Sequence, residues 1–167
     1  MKVLSFLVDN ELFCADVRLV EKVTRKMILT QLAAAPHVIN GLVNLKGRVI
    51  TAFNLYQILG RKERRNAGRK SDTVNAIVFN SFSGEEDQMC LIINKPGELI
   101  ELDDETVSPP VLATGAEESF CISGIAEKDN KLYRIIDIDS IINRYKTNGV
   151  KTVENTNRSN GGLENGE

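Results

Sequence analysis

The chain has 167 residues, enough for one domain or for one domain made of two small lobes. Apolar residues make up 42% of it and charged residues 26%, and the formal net charge is −2. This charge gives no electrostatic reason to expect binding to nucleic acid or to anionic membranes. Aromatic residues make up only 5% and tryptophan is absent, which argues against surfaces that stack on bases.

Cysteine usage indicates the cellular compartment. Cys14, Cys90 and Cys121 lie far apart in apolar runs and are odd in number. Buried reduced thiols explain them better than a disulfide framework or a metal site. The chain opens on a strand-like run without a charged leader and cleavage pattern, and no apolar run approaches the roughly 18 residues of a membrane helix. We therefore expect a cytoplasmic protein.

Most of the chain reads as short strands separated by polar turns, which predicts an all-β fold. The turns are centred on Asp9-Asn10-Glu11, Lys46-Gly47 and Asp129-Asn130. In chain order the predicted strands are Val3–Val8, Leu12–Ala15, Val20–Val23, Met27–Leu32, Gly41–Leu45, Arg48–Phe53, Thr73–Phe82, Gln88–Asn94, Glu98–Leu102, Phe120–Lys128 and Lys131–Asp137.

Helical segments are predicted to be few and short. Asp16 is a candidate cap for one helical turn, and Asn54 is a candidate N-cap for a helix over Leu55–Leu59 that ends at Gly60. A last helix is predicted over Asp139–Tyr145. The segment 147–167 is rich in Asn, Gly and Glu with only isolated apolar residues, so a disordered tail is predicted there.

An internal repeat is the most informative feature of the sequence. Asn40–Leu59 aligns with Ser123–Ile142 without a gap at an offset of 83 residues, and apolar positions coincide along this stretch. Each copy reads as glycine, strand, turn, strand, Asx and short helix. The repeat predicts two similar β-lobes, each a closed or nearly closed barrel, because closure removes exposed strand edges.

The stretch Pro36–Gly47 carries a family pattern: proline, a short turn, glycine, two apolar residues, and then Asn-Leu, a basic residue and glycine. With the proline pair Pro109-Pro110 and the closing hairpin and helix, it resembles the CheW-like family of bacterial chemotaxis coupling proteins. The resemblance covers about residues 3–145 in register. It departs from the family pattern at Lys46, usually Arg, and at Lys22, where an acidic residue is frequent.

The resemblance implies two intertwined five-stranded barrels over residues 1–146. The first barrel would take about residues 15–72, and the second about residues 1–14 plus 73–146. It also implies a non-enzymatic adaptor, without a cofactor, that couples the cytoplasmic tips of methyl-accepting chemoreceptors to the regulatory domain of the histidine kinase CheA. Such an adaptor would be recruited to receptor arrays at the inner face of the membrane.

Six residues fall where the family contacts receptor or kinase. In this interpretation two valines give apolar contact, and the lysine of the turn binds a carboxylate or backbone carbonyls. The alternative is structural: the valines are core residues, the glycine permits a close backbone approach, and the lysine is only a turn residue. The six are Val20, Lys22, Gly41, Val43, Asn44 and Lys46.

Other function classes have weaker signals. The basic run Arg61–Lys70 favours, as the main alternative, a small β-barrel that binds nucleic acid, although aromatic partners are absent from it. A Cys/His enzyme would need His37, the only histidine, beside Cys14 or Cys121, and no local residue activates it. Two acidic clusters, 85–87 and 103–105, lack the ligand spacing of a calcium loop.

Overall fold

A computed structural model describes residues 1–61, 73–80, 88–110 and 120–145. Within these ranges the regular structure is mainly β-strand, as the sequence predicts. The predicted disordered tail, most of the basic run and the acidic cluster at 85–87 lie outside the described residues. In chain order the strands are β1 Lys2–Val8, β2 Glu11–Asp16, β3 Val20–Thr30, β4 Ile39–Leu45, β5 Arg48–Asn54, β6 Thr73–Phe79, β7 Met89–Ile93, β8 Lys95–Glu101, β9 Ile122–Lys128 and β10 Lys131–Ile136.

Three hairpins turn through two residues each, at Asp9-Asn10, Lys46-Gly47 and Asp129-Asn130. Both turn residues have positive φ in every case, between 48° and 86°. Positive φ at both positions defines the type I′ turn, whose twist matches that of the flanking strands. Asp, Asn and Gly tolerate this conformation, whereas a lysine does so at a cost. Lys46 is therefore the unusual residue among the six residues of these three turns.

The ten strands form two five-stranded sheets of matching topology. One is a closed barrel in the order β3-β4-β5-β7-β6, and the other is a sheet in the order β8-β1-β2-β10-β9. Each contains one parallel pair, β5 with β7 and β10 with β2, among otherwise antiparallel neighbours. We call the first set, residues 17–61, 73–80 and 88–93, the barrel lobe. The rest of the described residues form the sheet lobe.

The second sheet differs from a fully closed barrel. Its edge strands β8 and β9 share no ladder; a single bridge between Ser108 and Ile125 joins the two edges instead. Asp103 caps a 3₁₀ turn over Asp104–Thr106, and this turn interrupts the extended chain between β8 and Ser108. The corresponding strand of the barrel lobe, β3, runs unbroken for 11 residues.

The two lobes are intertwined along the chain, but their boundary differs from the one suggested by the sequence. The hairpin β6–β7, residues 73–93, completes the barrel with β3, β4 and β5, whereas we expected residues from 73 onward in the second lobe. Conversely, β1 and β2 join β8, β9 and β10. Strands β1–β5 form one copy of the repeat and β6–β10 the other. The first hairpin of each copy thus lies in the same sheet as the last three strands of the other copy.

The gapless repeat is visible in the strand boundaries. Shifted by 83 residues, β4 superposes on β9, and β5 begins where β10 begins. Helix α1, Leu55–Ile58, then corresponds to the start of α2, residues 138–145. The side chain of Asn54 accepts from the backbone N–H groups of Tyr56 and Gln57, and the Asp137 carboxylate accepts from Ser140 N. Both Asx residues that the repeat brings into register, Asn54 and Asp137, therefore cap a helix.

Apolar side chains form one central core between the lobes and a smaller core inside each lobe. The central core combines Phe6 and Phe13 of the sheet lobe with Phe79 and Leu91 of the barrel lobe, and all four are fully buried. The helices α1 and α2 also contribute to it. The lobes therefore share most of their large buried side chains, so neither is expected to be stable alone.

Candidate functional site

At one end of the barrel, hydrogen bonds connect three polar side chains that lie on β3, at the start of β5 and directly before β7. Arg48, at the start of β5, donates from Nη2 to Glu21 Oε1 at 2.8 Å and from Nη1 to Gln88 Oε1 at 2.7 Å. The Gln88 amide donates in turn to the second oxygen of Glu21. This network fixes the start of β3 beside the β4–β5 hairpin. We call this end, residues 20–22, 44–48 and 88, the barrel mouth.

Three of the six predicted site residues are exposed at the barrel mouth: Lys22 on β3, Asn44 on β4 and Lys46 in the turn. The Asn44 side chain accepts from Gly47 N at 2.8 Å and so supports the turn. Within the described part of the chain, no carboxylate lies in salt-bridge range of Lys22 or Lys46. The structure therefore brings to one end of the barrel two cations that have no carboxylate partner among the described residues.

Two other predicted residues pack against apolar cores, Val43 inside the barrel and Val20 between the lobes. Val43 is 1% exposed and packs in the barrel core with Ile50 and Cys90. Its side chain is not available for the apolar surface contact that the family resemblance implies. Val20 is half-buried at the start of β3 and packs against the central core.

Gly41 has the structural role of a close-approach residue. Its φ is +151°, and a Cβ built on it would lie 2.2 Å from the Thr30 carbonyl oxygen. The neighbouring residues Leu42 and Val43 form the only two pairs that join β4 to β3. Gly41 therefore allows the two strands to meet and the barrel to close.

The sequence did not reveal the network that organises the site. Glu21, Arg48 and Gln88 are separated by 27 and 40 residues and fit no local motif. The one available signal was the position of Arg48 directly after a two-residue turn, which places its side chain at a hairpin tip. Its partners became evident only when β3, β5 and β7 were joined in one barrel.

The cysteines do not have the surroundings of a nucleophile. Cys14, Cys90 and Cys121 are buried and form no disulfide, each in a different core, while His37 is exposed in a turn. Burial raises the pKa of Cys14 and of Cys90 to about 12. A nucleophilic cysteine needs the opposite shift, since the thiolate is the reactive form.

The described residues offer little support for a metal site or for nucleic-acid binding. No group of three or more His, Cys, Asp or Glu side chains there is placed to hold a metal ion. Arg61, the first residue of the basic run, forms a salt bridge with Glu11 at 2.5 Å and lies over the Tyr56 ring. This arginine links the lobes, and residues 62–70 lie outside the described ranges. No helix in the described segments is long and apolar enough to cross a membrane.

Comparisons with known proteins agree with the fold. A family model described as the CheW-like domain matches residues 2–146. A chemotaxis protein CheW of Treponema pallidum is 23% identical over 141 residues, which are 84% of this chain and 81% of that protein. A CheW of Thermotoga maritima is 39% identical over 59 residues, which are 35% of this chain and 39% of that protein.

A solved structure also matches. The crystal structure of the scaffolding protein TtCheW from Thermoanaerobacter tengcongensis superposes with a TM-score of 0.67 at 26% sequence identity. The match covers 82% of this chain and 88% of that one. Sequence family and tertiary structure thus point to the same class of protein.

Proposed function

The chain belongs to the CheW-like domain family, whose members include chemotaxis scaffolding proteins, and on that premise we propose that it couples chemoreceptors to a histidine kinase. In this proposal it acts in the cytoplasm, at receptor arrays on the inner face of the membrane. Its partners are the cytoplasmic tip of a methyl-accepting chemoreceptor and the regulatory domain of the kinase CheA. The protein performs no reaction; it holds the partners in a defined geometry.

The main structural support for this proposal is the left-handed backbone conformation of Lys46. This lysine occupies the first position of a type I′ turn with φ +50°, where the left-handed conformation costs a residue with a Cβ roughly 1–2 kcal/mol. The equivalent positions of the other two such turns hold Asp9 and Asp129, and aspartate tolerates this conformation better. A residue held in an unfavourable conformation at an exposed tip supports a function in contact rather than in folding.

The surroundings of Lys46 suit docking. Its neighbour Asn44 stabilises the turn, and Arg48 anchors the base of the hairpin to Glu21 and Gln88. The lysine is thus presented from a rigid support, which lowers the entropy lost when a partner binds. We assign Lys22, Asn44 and Lys46 to the contact surface. Gly41 and Val43 support it from inside the barrel.

The proposal is tested with Lys46→Asn, which removes the charge while favouring the turn conformation. We expect an unchanged or higher melting temperature and at least about tenfold weaker binding to a chemoreceptor fragment or to the kinase regulatory domain. Binding would be measured by calorimetry with both partners from the same organism. Asp129→Asn, in the corresponding turn of the sheet lobe, is the matched control and should leave binding within about twofold.

Two results would count against the proposal. The first is the absence of binding between the wild-type chain and both partners. The second is wild-type affinity in Lys46→Asn, which would reduce Lys46 to a turn residue and move the docking surface elsewhere on the molecule.

A further inference from the structure

The described chain passes between the two lobes twice, after Asp16 and after Ile93. The second crossing is a single residue, Asn94, which lies between β7 of the barrel lobe and β8 of the sheet lobe. Its backbone N–H donates to the Leu7 carbonyl at 2.9 Å, and its side-chain Oδ1 accepts from the Asp9 N–H at 2.7 Å. Asn94 is therefore bonded to β1 and to the β1–β2 turn of the sheet lobe.

The same crossing is also held from the barrel lobe. Asn75 of β6 donates from Nδ2 to the Asn94 carbonyl at 2.9 Å, and its Oδ1 accepts from the Lys26 N–H at 3.2 Å. Lys26 lies at a bulge of β3, where the register with β6 shifts, and its φ is +54°. A bulge leaves the extra residue outside the ladder. The Asn75 side chain therefore supplies the acceptor that this amide needs.

These contacts form one continuous chain of hydrogen bonds from lobe to lobe. Asp9 donates to the Asn94 side chain, and the Asn94 carbonyl accepts from the Asn75 side chain. The oxygen of that second side chain accepts from Lys26. Hydrogen bonds in such a network polarise and position one another, so their contributions are not additive. An opening at one end should therefore weaken the other end.

The first crossing is built differently. The Asp16 carboxylate accepts from the backbone N–H and the guanidinium of Arg18, two residues further along the chain. These bonds stabilise a local turn. The side chains of Asn75 and Asn94, in contrast, join groups that are between 19 and 85 residues apart. A local capping role explains Asp16, but it does not explain the two asparagines.

We propose that Asn75 and Asn94 are positioning residues that couple the two lobes, so that the β3 bulge at Lys26 and the β1–β2 turn at Asp9 open and close together. The inference goes beyond the proposed function, because this coupling is a property of the chain without a partner. Strand β3 also carries Lys22 of the proposed contact surface, so a partner that shifts this strand would change the sheet lobe as well. That consequence alone rests on the proposed function.

The test measures amide hydrogen exchange by NMR in the full chain without a partner. The variants are Asn75→Ala, Asn94→Ala, their double variant and the matched control Asn80→Ala. Asn80 directly follows β6 and donates from Nδ2 to the Arg18 carbonyl at 3.0 Å, so it forms a bond of the same kind within one lobe. Exchange in the core strands, measured in the same spectra, separates local opening from global destabilisation.

Asn75→Ala should speed exchange at Lys26, its direct partner, and at Asp9 in the other lobe, by at least about fivefold each. Asn94→Ala should likewise speed exchange at both amides, because coupling between two sites is reciprocal. In the double variant the combined effect should be smaller than the product of the single effects. Asn80→Ala should leave both amides within about twofold of the wild-type rates.

Acceleration confined to the direct partner of each side chain would overturn the inference, and so would single effects that simply multiply in the double variant. Either result would make both asparagines local supports. The measurements are repeated in a Glu11→Gln background, which removes the carboxylate that joins the lobes through Arg61. Loss of the coupling there would assign it to that salt bridge and contradict the proposal.

A second variant keeps the inference testable if Asn75→Ala does not fold. Asn75→Asp retains an oxygen that accepts from Lys26 but removes the donor to the Asn94 carbonyl. Exchange should then become at least about fivefold faster at Asp9 and stay slow at Lys26. Unchanged exchange at Asp9 in this variant would contradict the coupling, whereas the proposed function would stand, since no partner takes part in the measurement.

Discussion

The barrel lobe and the sheet lobe are built from the same repeat, and they differ most in one segment. In the barrel lobe this segment is β3, an unbroken and basic strand of 11 residues. In the sheet lobe it is β8 followed by an acidic 3₁₀ turn and the single bridge at Ser108. The core-facing positions correspond, whereas the outer segment differs in length, continuity and charge.

This contrast indicates which parts of each lobe are constrained by folding and which are free to serve recognition. The paired hairpins and helices of the two lobes bury equivalent apolar side chains in one shared core, so packing constrains them together. On the side where each lobe closes, the outer segment forms few backbone pairs. These are two between β3 and β4 in the barrel lobe and the single bridge between Ser108 and Ile125 in the sheet lobe. It is therefore free to change in charge and shape, and in the barrel lobe it carries Lys22 of the proposed contact surface.

The largest expected effect tests the equivalence of the two repeats in the central core. Leu55 of α1 and Ile138 of α2 occupy corresponding positions and are 0% and 1% exposed. Truncating either to alanine should lower the free energy of unfolding by about 3–4 kcal/mol, because each leaves a cavity in the same core. Urea denaturation of both variants measures this. A difference above about 2 kcal/mol between them would break the equivalence.

A second pair of substitutions tests how tightly the closure of each lobe is constrained. Gly41→Ala should cost about 3 kcal/mol, since its Cβ would lie 2.2 Å from the Thr30 carbonyl oxygen at an unfavourable φ. At the corresponding Gly124 the nearest atom is the movable Val107 Cγ1 at 2.6 Å, and φ is not positive. Gly124→Ala should therefore cost about 1 kcal/mol.

Thermal and urea unfolding of the two glycine variants provide the comparison. Gly47→Ala serves as a control for backbone strain without a clash, because a Cβ there meets no atom within 4 Å at φ +86°. If Gly124→Ala proved as damaging as Gly41→Ala, closure of the sheet lobe by its single bridge would be as tightly constrained as closure of the barrel.

The smallest expected effect concerns the helix caps. Asn54→Ala and Asp137→Ala each remove an oxygen that accepts from backbone N–H groups in the first turn of a helix. Each should lower the free energy of unfolding by about 1 kcal/mol. The exchanges Asn54→Asp and Asp137→Asn preserve the cap and should stay near the wild-type value. Equal losses for capping and non-capping variants would show that the caps contribute nothing.

The sequence predicted the class of fold because its signals are local. Alternating apolar runs define strands, and Asp-Asn and Lys-Gly pairs define two-residue turns. The Asx residues before Leu55 and Ile138 define helix starts. The repeat at an offset of 83 residues added the two-lobe architecture. Long-range pairing was less accessible, and the hairpin β6–β7 was therefore placed in the wrong lobe.

The candidate site was predicted only in part. Asn44 and Lys46 were predicted as contact residues by the family resemblance, and the structure places both at an exposed hairpin end. Whether Val43 faced the core or the surface was undecided, because strand alternation does not say which face is buried. The partners of Arg48 could not be found, since Glu21 and Gln88 come from distant strands. Which part of β3 pairs with β4 is likewise decided by tertiary structure, and only Leu29 and Thr30 do so.

The sequence by itself determined the strands, turns and caps, because each depends on residues within one turn or one hairpin of each other. It also determined the duplication, because the two copies can be aligned directly without a gap. Tertiary structure decided which hairpin joins which lobe, which lobe closes by a ladder, and where the unpaired edge lies. These outcomes depend on contacts between segments far apart in the chain. Their free energies come from shared burial in the central core rather than from any local preference of the residues involved.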